Sequence, residues 1–140
     1  MNDKRTVSMI DMALKRYETP VGPLFVAQRH GRIKKCFSRD TAIRYLAFFM
    51  TTWAFEASGF QCRHPDVQAV HPLNPDLNCW QRGGVTHEYF MAHQRCVRRL
   101  RLILKHKREA QKWCDKWDAM HDRYMKERDE LKATKPVGVG

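Results

Sequence analysis

The stretch that decides the fold is residues 86–133, THEYFMAHQRCVRRLRLILKHKREAQKWCDKWDAMHDRYMKERDELKA. It contains no glycine or proline. A residue that can be buried recurs at every seventh position: Tyr89, Cys96, Ile103, Ala110, Trp117, Tyr124 and Leu131. A sustained seven-residue apolar repeat is the pattern of a helix that lays one stripe against another helix. The spacing predicts one long helix with Thr86 as N-cap and Glu88 in the first turn, where the helix dipole favours an acid. Pro136 and the glycines after it end the pattern. At 1.5 Å per residue the helix would run roughly 70 Å, beyond the span of a compact domain of this size. The seven stripe residues are therefore candidate helix-pairing positions, within the chain or in a homodimer.

The same helix is strongly cationic over its first half. Residues 95–112 hold eight Lys or Arg against Glu109 alone, whereas residues 113–132 hold five basic against six acidic side chains. On a helical wheel with Cys96 at zero, Leu100 and Ile103 fall within about 40° of it, and Arg98, Arg101, Lys105, Arg108 and Lys112 fall on the far side. A dense same-sign stripe can track phosphates, and each neutralised phosphate releases counterions. A merely solvated outer face would carry both signs, because helix-stabilising pairs need both. The candidate polyanion-binding set is Arg95, Arg98, Arg99, Arg101, Lys105, Arg108 and Lys112. Sequence-specific base readout is not expected, since no helix-turn-helix, zinc-finger or RNA-sheet signature is visible; phosphate contact should dominate.

Composition agrees with a binding protein. The chain has 140 residues, 43% hydrophobic, with a net charge of +11. That size allows one domain with an extension, and that charge favours polyanions or an acidic protein surface over a metabolic enzyme. Five cysteines (Cys36, Cys62, Cys79, Cys96 and Cys114) are evenly spread rather than framed as disulfides, and no signal-peptide pattern opens the chain. A reducing, cytoplasmic compartment with free thiols is expected. The longest apolar stretch, around Leu46 to Phe55, is too short to span a bilayer, so no membrane partner is expected.

Moving towards the N-terminus, residues 60–84 show no period and contain Pro65, Pro72, Pro75, Gly83 and Gly84. A loop of this length is pinned by something or functional. It holds Cys62, His64, His71 and Cys79, which are zinc-type ligands. Their spacing disfavours a zinc site, because structural sites carry a close pair such as Cys-x-x-Cys, and here the only close pair is Cys62-Arg63-His64. A metal-dependent nuclease using His71, Asn78 and His87 would need a hairpin-helix around the metal, a pattern that is not evident. A thiol protease pairing Cys79 with His87 lacks a rigid scaffold. No cofactor is expected.

Upstream, Ser38 and Asp40 open a helix that runs from Arg39 to Ser58 and is apolar around almost its whole circumference, so it should be central and buried; Gly59 ends it. Leu24–Arg29 and Arg32–Phe37 read as a hairpin about a His30-Gly31 turn, with Ile33, Lys35 and Phe37 on one side and Arg32, Lys34 and Cys36 on the other. Met9, Ile10, Met12, Ala13, Leu14 and Tyr17 predict a short first helix, and residues 1–6 are expected to fray.

With the hairpin Pro23–Phe37 running into Ser38-Arg39-Asp40-Thr41-Ala42-Ile43, and with no catalytic motif, the chain resembles the small accessory proteins carried by bacteriophages, prophages and plasmids of enteric bacteria. The resemblance lies in the first half. It implies a role in replication, in recombination or in blocking host defence. The expected fold is mainly α with a small β-hairpin (α+β). It divides into a globular region over residues 1–84, a basic amphipathic helix over 85–133 and a flexible tail over 134–140. The expected function is non-enzymatic docking on nucleic acid or a nucleic-acid-handling complex. The alternative is an inhibitor or adaptor that binds an acidic surface of a host defence or nuclease protein.

Overall fold

The computed structural model describes residues 9–138. Its elements follow in the order α1 (Met9–Ala13), β1 (Leu14–Thr19), β2 (Gly22–Arg29), β3 (Arg32–Cys36), α2 (Arg39–Ser58), β4 (Val67–Ala69), a 3-10 turn at Pro75–Leu77, β5 (Cys79–Gln81) and α3 (His87–Ala133). The chain is mainly α-helical with a small antiparallel sheet, as its patterning predicts. The polar segment 1–6 lies outside the described residues.

The hairpin forms where the sequence places it. His30 (φ 52°) and Gly31 (φ 75°) both sit in the left-handed region, as a two-residue turn matched to strand twist requires. Arg29 pairs with Arg32 across that turn, and Phe25 with Cys36 at the far end.

The first helix is shorter than expected. It ends at Ala13, and Leu14–Thr19 forms β1 on the other edge of β2, with Leu14 opposite Ala27 and Thr19 opposite Gly22. Leu14 and Tyr17 stand three apart, a spacing that suits a helix; β2 settles the matter by offering a full edge of backbone partners. Thr19-Pro20-Val21-Gly22 is then a chain reversal between β1 and β2, with Gly22 at φ 122°.

Ser38 caps α2, its hydroxyl accepting from the Thr41 amide at 3.4 Å, and Gly59 closes it at φ 76°. The helix is apolar on nearly all sides because it has two neighbours. One side meets the sheet: Lys34 Nζ lies 4.9 Å above the Tyr45 ring, Trp53 stacks on His30 at 4.5 Å, and Arg32 reaches Glu56 at 3.4 Å. The other side meets the start of α3: Thr52 and Tyr89 share a 2.8 Å hydrogen bond between their hydroxyls, and Phe55 meets Tyr89 edge to face. Ala42, Ile43, Leu46, Ala47 and Phe49 are buried, with Val26 and Ala27 from β2. Fully burying a side chain such as Leu46 contributes about 1.5–3 kcal/mol.

The irregular segment 60–84 is more ordered than its sequence predicts. Val67 pairs with Gln81 and Ala69 with Cys79, and Arg63 bridges to Val85. The His64 amide donates to Gly84 O at 2.9 Å, the Thr86 amide to Cys62 O at 3.0 Å, and the Gly83 amide to Asp66 Oδ1 at 2.9 Å. Backbone pairing across the base of the loop is what holds it.

α3 begins at the predicted cap, with Thr86 Oγ1 accepting from the Tyr89 amide at 3.2 Å, and it is unbroken through Ala133. By contacts the chain divides into two compact units, Met1–Arg101 and Leu102–Gly140. The division falls inside α3, because the first turns of that helix pack on α2. No helix among the described residues is long and apolar enough to cross a membrane.

Candidate functional site

The buried residues of α3 are Tyr89, His93, Val97, Leu100 and Leu104. They step by four, four, three and four, the spacing of a 3.6-residue helix. The seven-residue series coincides with them only at its start. Tyr89 is buried and Cys96 half-buried, while Ile103, Ala110, Trp117, Tyr124 and Leu131 are exposed. A straight α-helix falls about 20° behind a seven-residue repeat at each step, so the series drifts away from the α2-facing side. Among the described residues, then, the pairing stripe from Ile103 onward is uncovered.

This packing also re-aims the basic face. The centre of the buried side lies about 60° from Cys96, towards Val97, at about 100° per residue. Measured from that centre, Arg95 and Arg98 point outwards, about 160° and 140° away, and Arg99 about 120° away on the other flank. Arg101 lies only about 80° away, on the edge of the packed side. There it donates from Nη2 to Asp40 Oδ1 at 2.6 Å, and the second Asp40 oxygen accepts from Arg44 Nε at 3.0 Å. Arg101 is thus partly neutralised, unlike the other members of the set. Arg95, Arg98, Arg99, Lys105, Arg108 and Lys112 are exposed, and among the described residues none of them has a carboxylate partner.

The basic residues of the hairpin do not join this face. Arg29, Arg32 and Lys34 turn to α2, where they meet Met50, Glu56 and Tyr45. Strand alternation sends Lys35 to the opposite side of the sheet.

A cleft of about 460 Å³ opens where α2, the loop base and α3 meet. Phe48, Tyr89, Phe90 and Val97 give it an apolar wall, and Arg44, Arg63 and Arg101 line it with charge. His93 stands in the wall, its ring 3.8 Å from that of Phe48 and 17° from parallel. Its Nε2 lies 3.2 Å from the Arg44 carbonyl oxygen, which can only accept; Nε2 therefore carries the proton. Burial, with the Arg44 charge adding to it, holds the His93 pKa below the usual histidine value, against an opposing contribution from that hydrogen bond. The cleft was not foreseen. Its residues are scattered over 58 positions of sequence, and the only signal was the excess of aromatic groups on α2.

The loop residues considered as zinc ligands do not converge. Among the described residues no three His, Cys, Asp or Glu side chains form a metal-holding group. His71 Nδ1 accepts from the amides of Leu73 and Asn74 at 3.2 and 2.9 Å, and Asn78 Oδ1 accepts from the His71 amide at 2.7 Å. Both side chains are occupied in shaping the turn. Cys79 is exposed and Cys62 half-buried.

Comparison with protein-family models, with curated proteins and with solved structures yields no match. The functional reading therefore stands on these residues.

Farther along α3, Trp113 and Trp117 stack on each other, rings 5.7 Å apart and 13° from parallel, and both are more than half exposed. Met120, Tyr124 and Leu131 continue an exposed apolar series at helical spacing.

Proposed function

We propose that the chain is a non-enzymatic binding protein that docks on nucleic acid through the cationic face of α3. The observation that carries this reading is the exposed cations of α3, Arg95, Arg98 and Arg99 in the first unit and Lys105, Arg108 and Lys112 in the second, none of which has a carboxylate partner among the described residues. Charges left uncompensated on a helix repel one another, and a polyanion relieves that repulsion while shedding its counterions. The contacts go to phosphates, so affinity is high for many sequences and falls steeply with salt.

The test is binding to random-sequence duplex DNA across a salt series. Changing Arg95, Arg98, Lys105 and Arg108 together to Gln should reduce affinity at least about tenfold at low salt and flatten the salt slope by about three to four. Unchanged affinity would remove the reading.

A second reading is supported by the stacked, exposed Trp113 and Trp117. Such aromatic anchors suit a protein surface, and the adjoining cations suit an acidic one. On this reading the chain is a phage-type inhibitor or adaptor of a host defence or nuclease protein. Capture of one protein from a host lysate, undiminished by nuclease treatment and absent with Trp113→Ala and Trp117→Ala, would select it over the first.

A further inference from the structure

The cleft between α2 and the first turns of α3 combines two kinds of group that one ligand class satisfies together. Phe90 is 50% exposed at its wall and Phe48 39% exposed beside it, so aromatic surface is open to an entering ring. Arg44, Arg63 and Arg101 line the same space. Each is already oriented by a single contact: Arg44 and Arg101 by the two oxygens of Asp40, and Arg63 by the Gly83 carbonyl at 3.0 Å. A guanidinium has five N–H donors, so every one of the three keeps donors to spare. His93, with its Nε2 proton given to the Arg44 carbonyl, has a bare Nδ1 as a hydrogen-bond acceptor. A planar ring attached to an anion fits this wall, and the ion pairs hold the arginines in place before it arrives.

Arg101 decides which such ligand. It belongs to the cationic set of α3 and also lines the cleft, with Arg98 one turn before it on the outer side. A phosphate chain lying along Arg95 and Arg98 therefore reaches the cleft mouth without a break in charge. We infer that the cleft receives an unpaired nucleobase against Phe90 and Phe48, with its phosphate held by Arg44 and Arg101, so that the chain prefers single-stranded to duplex nucleic acid. A base inside a duplex is stacked and paired and does not enter. Aromatic stacking accepts any base, in keeping with the absence of sequence readout. This inference rests on the nucleic-acid reading of α3, and the experiment separates the two.

Anisotropy titrations would use three probes: a thymidine oligonucleotide of about 20 residues, an abasic oligomer of the same length and a duplex. The abasic strand keeps the phosphates and lacks the rings. The native chain should bind thymidine about five- to a hundredfold more tightly than the abasic strand. Phe90→Ala should erase that preference and leave duplex affinity within about twofold. Arg44→Gln, on a side chain 60% exposed and safe for folding, should weaken the thymidine strand more than the duplex. Equal binding of thymidine and abasic strands by the native chain, or a full preference retained by Phe90→Ala, overturns the cleft. Loss of duplex binding in the four-Gln variant of α3 would then still uphold the helix face. Conversely, a ring preference lost in Phe90→Ala while the four-Gln variant binds normally would uphold the cleft and dismiss the helix face.

Discussion

Asp40 and Arg101 are 61 residues apart in sequence and meet at 2.6 Å, joining the first turn of α2 to α3. Both side chains are about half exposed, so the pair contributes modestly to stability. Its larger effect is on charge, since one carboxylate restrains both Arg44 and Arg101 at the cleft. Asp40→Asn should cost about 1 kcal/mol or less of stability, counting the ion pairs and the helix-dipole contribution. The same change should raise affinity for a polyanion roughly three- to tenfold at low ionic strength, and the gain should shrink with added salt. A fall in affinity would mean that ordering of the arginines outweighs their release.

His93 gives the stability a pH dependence of defined sign. Its pKa in the folded chain lies below the ordinary value of 6.5, first because it is buried and then because Arg44 is near. The unfolded chain therefore takes up a proton as pH falls through about 6.5, while the folded chain resists. The contribution is full above that pH and is lost progressively below it. Urea midpoints should drop between pH 7.5 and 5.5. His93→Phe keeps a ring against Phe48 and should flatten that drop. An equally steep drop in His93→Phe would place the proton uptake elsewhere.

Gly83 is needed for its lack of a side chain. A Cβ there would overlap the His64 carbonyl, and its amide is committed to Asp66. Gly83→Ala must push apart the loop base that also holds Arg63 and the Thr86 cap. A loss of about 1–3 kcal/mol is expected, with faster amide exchange at His64 and Thr86. Gly84→Ala, where a Cβ meets open space, serves as the control and should lose less.

The exposed series on α3 tests the pairing stripe. Trp113 and Trp117 support each other one turn apart, a contact of about 0.2–0.5 kcal/mol within a helix. Changing both to Ala should scarcely move the denaturation midpoint of the chain. If α3 pairs with a second copy through this side, the same double change lowers the mass seen by light scattering, as does Ile103→Asp. An unaltered mass in both variants would retire pairing between copies.

Much of the fold was legible because its determinants are local. Ser38, Gly59 and Thr86 mark helix ends with their own side chains or backbone freedom, and His30-Gly31 supplies a turn that few other pairs could. β1 is hidden in the sequence because Leu14 and Tyr17, three apart, share a face in a helix and not in a strand, and a strand is decided by its partner. The loop at 60–84 looks shapeless in sequence because three-residue strands carry no period, and its pairings join residues well separated along the chain, from Ala69 with Cys79 to Cys62 with Thr86. The cations of the candidate site are legible in the sequence and their direction is not. Counting charges finds the cations of α3, but their direction depends on which side the helix buries. Cys96 stands at the edge of that side and His93 near its middle, so a wheel centred on Cys96 is about 60° off.

By itself the sequence determined that residues 87–133 are helical, that α2 is central and that an excess of positive charge lies along one segment, since each follows from spacing, capping and composition within a few turns of chain. Only the tertiary structure decided that Arg101 meets Asp40 while Arg98 and Lys105 have no carboxylate partner among the described residues, and that Phe48, Phe90 and three arginines surround one cleft. Those facts arise from α2 and α3 packing side by side, and packing joins residues that no local pattern connects.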